Sequence, residues 1–277
     1  MVRVLRGKMK QKAYSVILVC VLISALFGAA AAGGDAGNTS AAKVVRYIYE
    51  TESAKADAWV TFLDGEGFSS GKVYSQNADS VSFAGVDIII IGNDAAAAWN
   101  TMSKTNGIKH AGKPVLGIGE GGSSYFYKAG QSINGEPDEY DGGTVMHALN
   151  PSETVFTSPN QITIAGDKNI TVQTSSVSGK AAWIPFLPVN VTVLARNPTA
   201  TNHALLCVEK GAGAPTYMFW GLDADTPSSL TNDGKKLFEN AMWNCMGGYV
   251  PEFSSFVLVM AGLIGIFAAV LCVRRRN

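Results

Sequence analysis

Lys113-Pro114-Val115-Leu116-Gly117-Ile118-Gly119-Glu120-Gly121-Gly122 is the stretch on which the fold turns. Val115 to Ile118 is a short apolar run closed by glycine, which suits a strand covered on both faces. The strand stops in a Gly-rich turn, where glycines permit positive φ and close backbone approach. A helix is predicted to follow, and its first N–H groups are free to meet an anion. Upstream the same alternation repeats. Val44 to Tyr49 is a β-rich run, and Trp59, Phe62 and Leu63 fall at i, i+3 and i+4 on a helix ending at Gly65 to Gly67. A short strand is predicted at Lys72 to Ser75 and a buried one at Val86 to Ile91, after which Asn93 or Asp94 is placed to cap a helix over Ala95 to Ser103. This βαβαβ order predicts an α/β fold, a doubly wound, mainly parallel sheet with helices on both faces.

The second half is richer in strands, predicted at Gln161 to Ile164, Ile170 to Gln173, Val191 to Ala195, Leu205 to Glu209 and Tyr217 to Trp220, with Gly211 to Pro215 as a hairpin connection. A last helix spans about Thr231 to Met246, with Leu237, Phe238, Ala241, Met242 and Cys245 on one stripe. No repeat of 20 to 50 residues is present. Residues 43–247 therefore read as one α/β domain with an added β-rich second half.

The flanks differ from this middle. The chain has 277 residues, 47% hydrophobic and 16% charged, with a net charge of zero. Residues 1–32 hold five of the 22 Lys and Arg and the last four residues three more, whereas all 22 acidic residues lie between Asp35 and Glu252. The middle is left at about −8, and so anionic a surface argues against a nucleic-acid partner. Arg3, Arg6, Lys8, Lys10 and Lys12, the apolar run Ala13 to Phe27 and the small residues Gly28 to Gly34 have the three parts of a secretory signal peptide, assigned to residues 1–32. An uncleaved signal anchor is the alternative. Residues 33–42, rich in Gly, Ala, Ser, Thr and Asn, read as a linker.

At the other end, residues 254–273 carry no charge and are long enough to cross the hydrocarbon core, and Arg274-Arg275-Arg276 follows in residues 274–277. Both basic clusters predict a cytoplasmic location for the termini and an exterior location for residues 33–253. Three sequons, at Asn38, Asn169 and Asn190, fall in that exterior segment and are candidate glycosylation sites. Of four cysteines, Cys20 and Cys272 fall in the two membrane-directed segments. Cys207 and Cys245 lie on apolar faces and read as free buried thiols in preference to a disulfide. No Cys/His spacing suggests a metal, and His110, His147 and His203 are isolated.

The tail Val250-Pro251-Glu252-Phe253, one apolar span and a terminal basic cluster resembles the PEF-CTERM sorting signal of archaeal surface proteins. That resemblance, confined to residues 250–277, implies an archaeosortase-type processing enzyme as partner, with Pro251, Glu252 and Phe253 as its motif. It also implies a lipid in place of the helix, so that the protein ends anchored at the cell surface. Pro251 suits such a motif physically, because it keeps Val250 extended.

The segment Lys113 to Gly122, together with Phe219-Trp220-Gly221-Leu222-Asp223 and the helix from Asn232 to Trp243, resembles the class I glutamine amidotransferase-like superfamily, which is flavodoxin-like in fold. In that family the elbow residue is Cys; Gly119 stands there, and Trp220 and Gly221 occupy the neighbourhood of the base His. A thioester mechanism needs both groups. The resemblance therefore implies a catalytically degenerate domain without a catalytic residue. Gly119, Glu120, Gly121, Gly122 and Asp223 are left as candidate ligand-binding residues, with Asp225 beside them. No cofactor is implied, because Gly117 to Gly122 lacks the final spacing of a dinucleotide fingerprint. The run Glu136 to Asp141 reads as an exposed acidic loop.

Three readings compete. A surface module would bind a ligand, envelope proteins or glycans; a hydrolase would use Glu120 and Asp223 or a metal; a structural envelope component would use no cleft.

Overall fold

The computed structural model describes residues 42–134, 137–210 and 215–247. The signal-peptide segment, Asn38, the Pro251 to Phe253 motif and the apolar span 254–273 lie outside the described residues. Among the described residues no helix is long and apolar enough to cross a membrane.

Among the described residues eleven strands form one sheet. In chain order they are β1 (Val44–Tyr49), β2 (Ser69–Tyr74), β3 (Ile88–Ile91), β4 (Val115–Ile118), β5 (Pro137–Gly143), β6 (Val145–Ala148), β7 (Asn169–Thr171), β8 (Val177–Trp183), β9 (Val191–Arg196), β10 (His203–Lys210) and β11 (Thr216–Trp220). The spatial order is β2-β1-β3-β4-β11-β10-β9-β6-β7, with β8 pairing β10 and β5 pairing β8. The strands from β2 to β11 are mutually parallel, and β10, β9, β6 and β7 continue the sheet antiparallel. The β-rich second half is thus an extension of the sheet that holds the parallel centre.

Strand β3 explains why the centre forms. Its four isoleucines have no solvent exposure, and they alternate: Ile88 and Ile90 enter one core, Ile89 and Ile91 the other. A strand apolar on both sides must be covered on both sides. One cover is α1 (Ser53–Gly65) with the last helix, here α5 (Asn232–Cys245), through Trp59, Leu63, Leu237, Phe238 and Met242. The other is α2 (Met102–His110) and α3 (Gly119–Ala129) with a 3-10 stretch at Asn93–Asn100, through Trp99, Ile108, Tyr125 and Phe126. A single turn, α4 (Thr154–Thr157), packs beside α5. The Thr231 side chain caps α5 by accepting from the Gly234 N–H at 2.9 Å.

Several expectations are corrected. The helix drawn over Ala95 to Ser103 is two elements, because Thr101 is extended and separates the 3-10 stretch from α2. Neither Asn93 nor Asp94 caps it; both are used elsewhere. Gln161 to Ile164 is not a strand, although Ile162 is buried. The described part of the acidic run, Pro137 to Asp141, is not a loop, since β5 pairs antiparallel with β8 through Pro137↔Ala182 and Glu139↔Lys180. Cys207 and Cys245 are free and fully buried in different cores, Cys207 on the α2–α3 side and Cys245 on the α1–α5 side.

Candidate functional site

Strands β1, β3, β4 and β11 are parallel, so the residues that follow them, 50–52, 92–94, 119–120 and 221–225, gather at one edge. Open α/β sheets place ligands at this carboxyl edge. Asp94 ties two of these loops together: its Oδ2 accepts from the backbone N–H groups of Glu50, Thr51 and Glu52 at 3.1, 2.9 and 2.9 Å. Helix α1 has no side-chain cap at Glu52, and a carboxylate from the 3-10 stretch after β3 supplies the anion its N-terminus favours. Asn93 reaches the other way, its Oδ1 accepting from the Glu120 N–H at 2.9 Å and its Nδ2 donating to Asp225 at 3.5 Å. Asp225 also accepts from Lys55 Nζ at 2.8 Å, and its carbonyl accepts from Trp59 Nε1 at 3.2 Å.

At the elbow itself, Gly119 has φ of +49°, and a Cβ there would lie 2.2 Å from Asp223 Oδ1 and 2.3 Å from Asn93 Oδ1. The place into which an elbow side chain would project is filled by these two side chains. Burial is the largest influence on Asp223. Its Oδ1 is enclosed with no hydrogen-bond partner among the described residues. Desolvation, with Glu120 and Asp225 adding negative charge, raises its pKa from 3.8 to about 6, although the Glu120 backbone N–H and Lys180 oppose the rise.

A carboxyl whose pKa is higher folded than unfolded favours the folded state fully below the unfolded value, and this advantage is lost as pH rises through the folded value. Asp223→Asn, which is never charged, is therefore expected to raise Tm at pH 7.5. The gain should shrink between about pH 6 and pH 4, and thermal unfolding of both proteins across that window is the measurement. A gain constant with pH would show that Asp223 is not held against its charge.

The sequence-predicted residues do not all share this surface. Glu120 is exposed and Asp223 half-buried at the edge. Gly121 and Gly122 lie packed inside the first turn of α3. A Cβ on Gly121 would meet the Gly92 carbonyl oxygen at 1.9 Å, and one on Gly122 the Gly117 carbonyl carbon at 2.3 Å. The turn before the helix is thus the helix itself, pressed against β4. Asn93, Asp94 and Lys55 belong to the site and were not singled out as site residues. A polar pair directly after a buried parallel strand is the signal that finds the first two.

Neither described thiol reaches the edge. Burial pushes both Cys207 and Cys245 far above the ordinary thiol range, and Cys245 Sγ donates to the carbonyls of Thr216 and Val115 at 3.5 and 3.6 Å, at the opposite ends of their strands. His147 on β6 bonds Asn169 Oδ1 at 3.0 Å, and His203 lies against Trp183 with ring centroids 5.3 Å apart and the rings tilted by 57°. Among the described residues no group of three or more His, Cys, Asp or Glu is arranged to hold a metal ion. Of the described sequons, Asn169 donates to Asp167 at 2.7 Å and Asn190 to Glu209 at 3.1 Å.

No protein-family model and no curated protein matches the chain. Solved structures do. A ThuA-like protein from Bacteroides uniformis superposes with a TM-score of 0.50 at 12% identity, over 76% of this chain and 95% of that one. A GMP synthase component from Thermoplasma acidophilum gives 0.49 at 13% identity, over 74% and 95%. PurLQS from Thermotoga maritima gives 0.49 at 15% identity, over 73% and 98%. At such identities the likeness is one of fold, a mixed α/β sheet with a parallel centre.

Proposed function

We propose that this chain is an exported, membrane-anchored cell-surface protein. Its amidotransferase-like domain lacks thiol chemistry and binds a ligand at the carboxyl edge of β1, β3, β4 and β11. The observation that carries this reading is Gly119: the elbow keeps a positive φ, but Asp223 and Asn93 fill the space a nucleophile would need, and both described thiols are buried away from it. Carboxylates only accept hydrogen bonds when ionised, so Glu120, Asp223 and Asp225 suit a ligand rich in donors, such as an amine or a polyol.

A thermal-shift screen of amines, amino acids and sugars tests the reading. At least one compound should raise the Tm of the wild type by several degrees and leave Asp223→Asn unmoved, with no ammonia released from glutamine. Ammonia release would overturn it. The exposed Glu120 beside an Asp223 that titrates near pH 6 favours a second reading, a hydrolase with Asp223 as acid. In that case a broad hydrolase screen would detect turnover, and both Glu120→Gln and Asp223→Asn would abolish it.

Anchoring belongs to the same proposal. Pro251, Glu252 and Phe253 would direct an archaeosortase-type enzyme to exchange residues 254–277 for a lipid. Intact mass of the native protein should then lack about 25 C-terminal residues and carry an added lipid. Envelope proteins or glycans are the other proposed partners, and Asn38, Asn169 and Asn190 the proposed glycosylation sites.

A further inference from the structure

One buried polar group at the carboxyl edge is left without a partner. Tyr47 lies on the α1–α5 side of β1, 2% exposed, with its ring stacked on Trp59 at 5.8 Å. Among the described residues its hydroxyl makes no hydrogen bond, although a buried tyrosine hydroxyl ordinarily finds one.

Three observations fix where that hydroxyl stands. A Cβ on Gly92 would lie 2.6 Å from it, so it reaches the end of β3, one residue before Asn93. Trp59, on which the ring stacks, donates to the Asp225 carbonyl. Burial first, and then the charges of Asp94, Asp225 and Glu52, push its pKa well above the ordinary phenol range. The hydroxyl is therefore aimed into the acidic loops from the core side.

The carboxylates there divide into two groups about Asn93. On the α1 side Glu52 and Asp225 share Lys55 and stand near the Tyr47 hydroxyl. On the α3 side are Glu120 and Asp223, the latter with Oδ1 unpartnered and with Lys180 acting on it. Asn93 joins the groups, accepting from the Glu120 N–H through Oδ1 and donating to Asp225 through Nδ2. With one lysine to two carboxylates, each group keeps an excess of negative charge. Asp94 adds to the field but is already held by three backbone N–H groups.

We infer that the edge binds a short aliphatic diamine, one ammonium between Glu120 and Asp223, the other between the Tyr47 hydroxyl and Asp225, with the methylenes crossing the end of β3 over Asn93. An ammonium has three N–H donors and no acceptor, which suits a hydroxyl and carboxylates with lone pairs to spare. A neutral polyol would leave both excess charges in place. This inference rests on the ligand-binding reading above and selects the amine among the ligands that reading allows.

The test is isothermal titration of the full chain in nonionic detergent at neutral pH with putrescine, butylamine or butanediol. Putrescine should bind about tenfold more tightly than butylamine, the effect of one further hydrogen bond to a charged group, and butanediol should not bind. Tyr47→Phe, which removes only an unpartnered hydroxyl, should keep the wild-type Tm yet bind putrescine no better than butylamine. Asp225→Asn should show the same loss. Equal affinity for putrescine and butylamine, or wild-type affinity in Tyr47→Phe, overturns the inference and leaves ligand binding at Glu120 and Asp223 standing. Butanediol that binds as tightly as putrescine does the same. Calcium chloride that displaces putrescine at equal concentration overturns it in favour of a metal site. If none of the amines, amino acids and sugars of the thermal-shift screen binds either, both readings fall.

Discussion

Gly122→Ala is expected to cost about 3 kcal/mol or more of folding free energy, and Gly121→Ala as much, with chemical denaturation as the measurement. The added methyl meets backbone in both cases, the Gly117 peptide at 2.3 Å or the Gly92 carbonyl oxygen at 1.9 Å. Backbone within a close-packed interior cannot step aside as a side-chain end can. Helix α3 must then lift off β4, and Phe126, whose ring already lies 2.7 Å from where a Gly117 Cβ would stand, moves with it. Gly119→Ala is the informative contrast. Its methyl meets the side-chain ends of Asp223 and Asn93, not backbone, so even with the strain of a positive φ its loss should be smaller, and it should fall on the Asn93–Glu120 bond and on the proposed ligand binding. Equal losses at positions 119 and 122 would contradict this division between site and packing.

Trp59→Ala should be comparably severe, about 4 kcal/mol, since it removes a fully buried indole and leaves a cavity. The ring stacks on Tyr47 at 5.8 Å and meets Phe62 at 6.0 Å and Phe238 at 4.7 Å, so α1, β1 and α5 all lose a partner. In a domain of this size that corresponds to a fall in Tm on the order of 10 °C. Trp59→Phe isolates the polar part. It keeps most of the contact but drops the donor to the Asp225 carbonyl, for an expected loss of about 1 kcal/mol. An unchanged midpoint in denaturant for Trp59→Ala would refute this account of the α1–α5 core.

The parallel centre was legible because it is covered on both faces. Ile88 to Ile91 and Val115 to Ile118 are short apolar runs, and the α5 stripe from Leu237 to Cys245 has helical spacing. Strands β5 and β8 carry no such mark. Pro137 to Gly143 is acidic and Val177 to Trp183 mixes Ser, Gly and Lys with apolar residues, so long-range pairing decides them, not local pattern. Ile162 misled in the opposite sense, since a buried apolar residue needs no ladder. At the site, the absence of a side chain at Gly119 could be read directly. The cross-loop roles of Asn93 and Asp94 could not, because their partners at Glu120 and at Glu50 to Glu52 lie 27 and 42 to 44 residues away. One or the other was expected as a local cap, the role such residues most often play.

Strand β11, the last of the described strands, sits in the middle of the sheet between β4 and β10, although residues 119 to 215 separate it from β4. A nascent polypeptide that has emerged only as far as β10 therefore leaves Val115 to Ile118 as a bare apolar rim. Such a rim is a template for pairing with neighbouring molecules, and partly completed sheets aggregate through it. Closure waits for Thr216 to Trp220, so the parallel centre is complete only when nearly all of the described chain is available to fold.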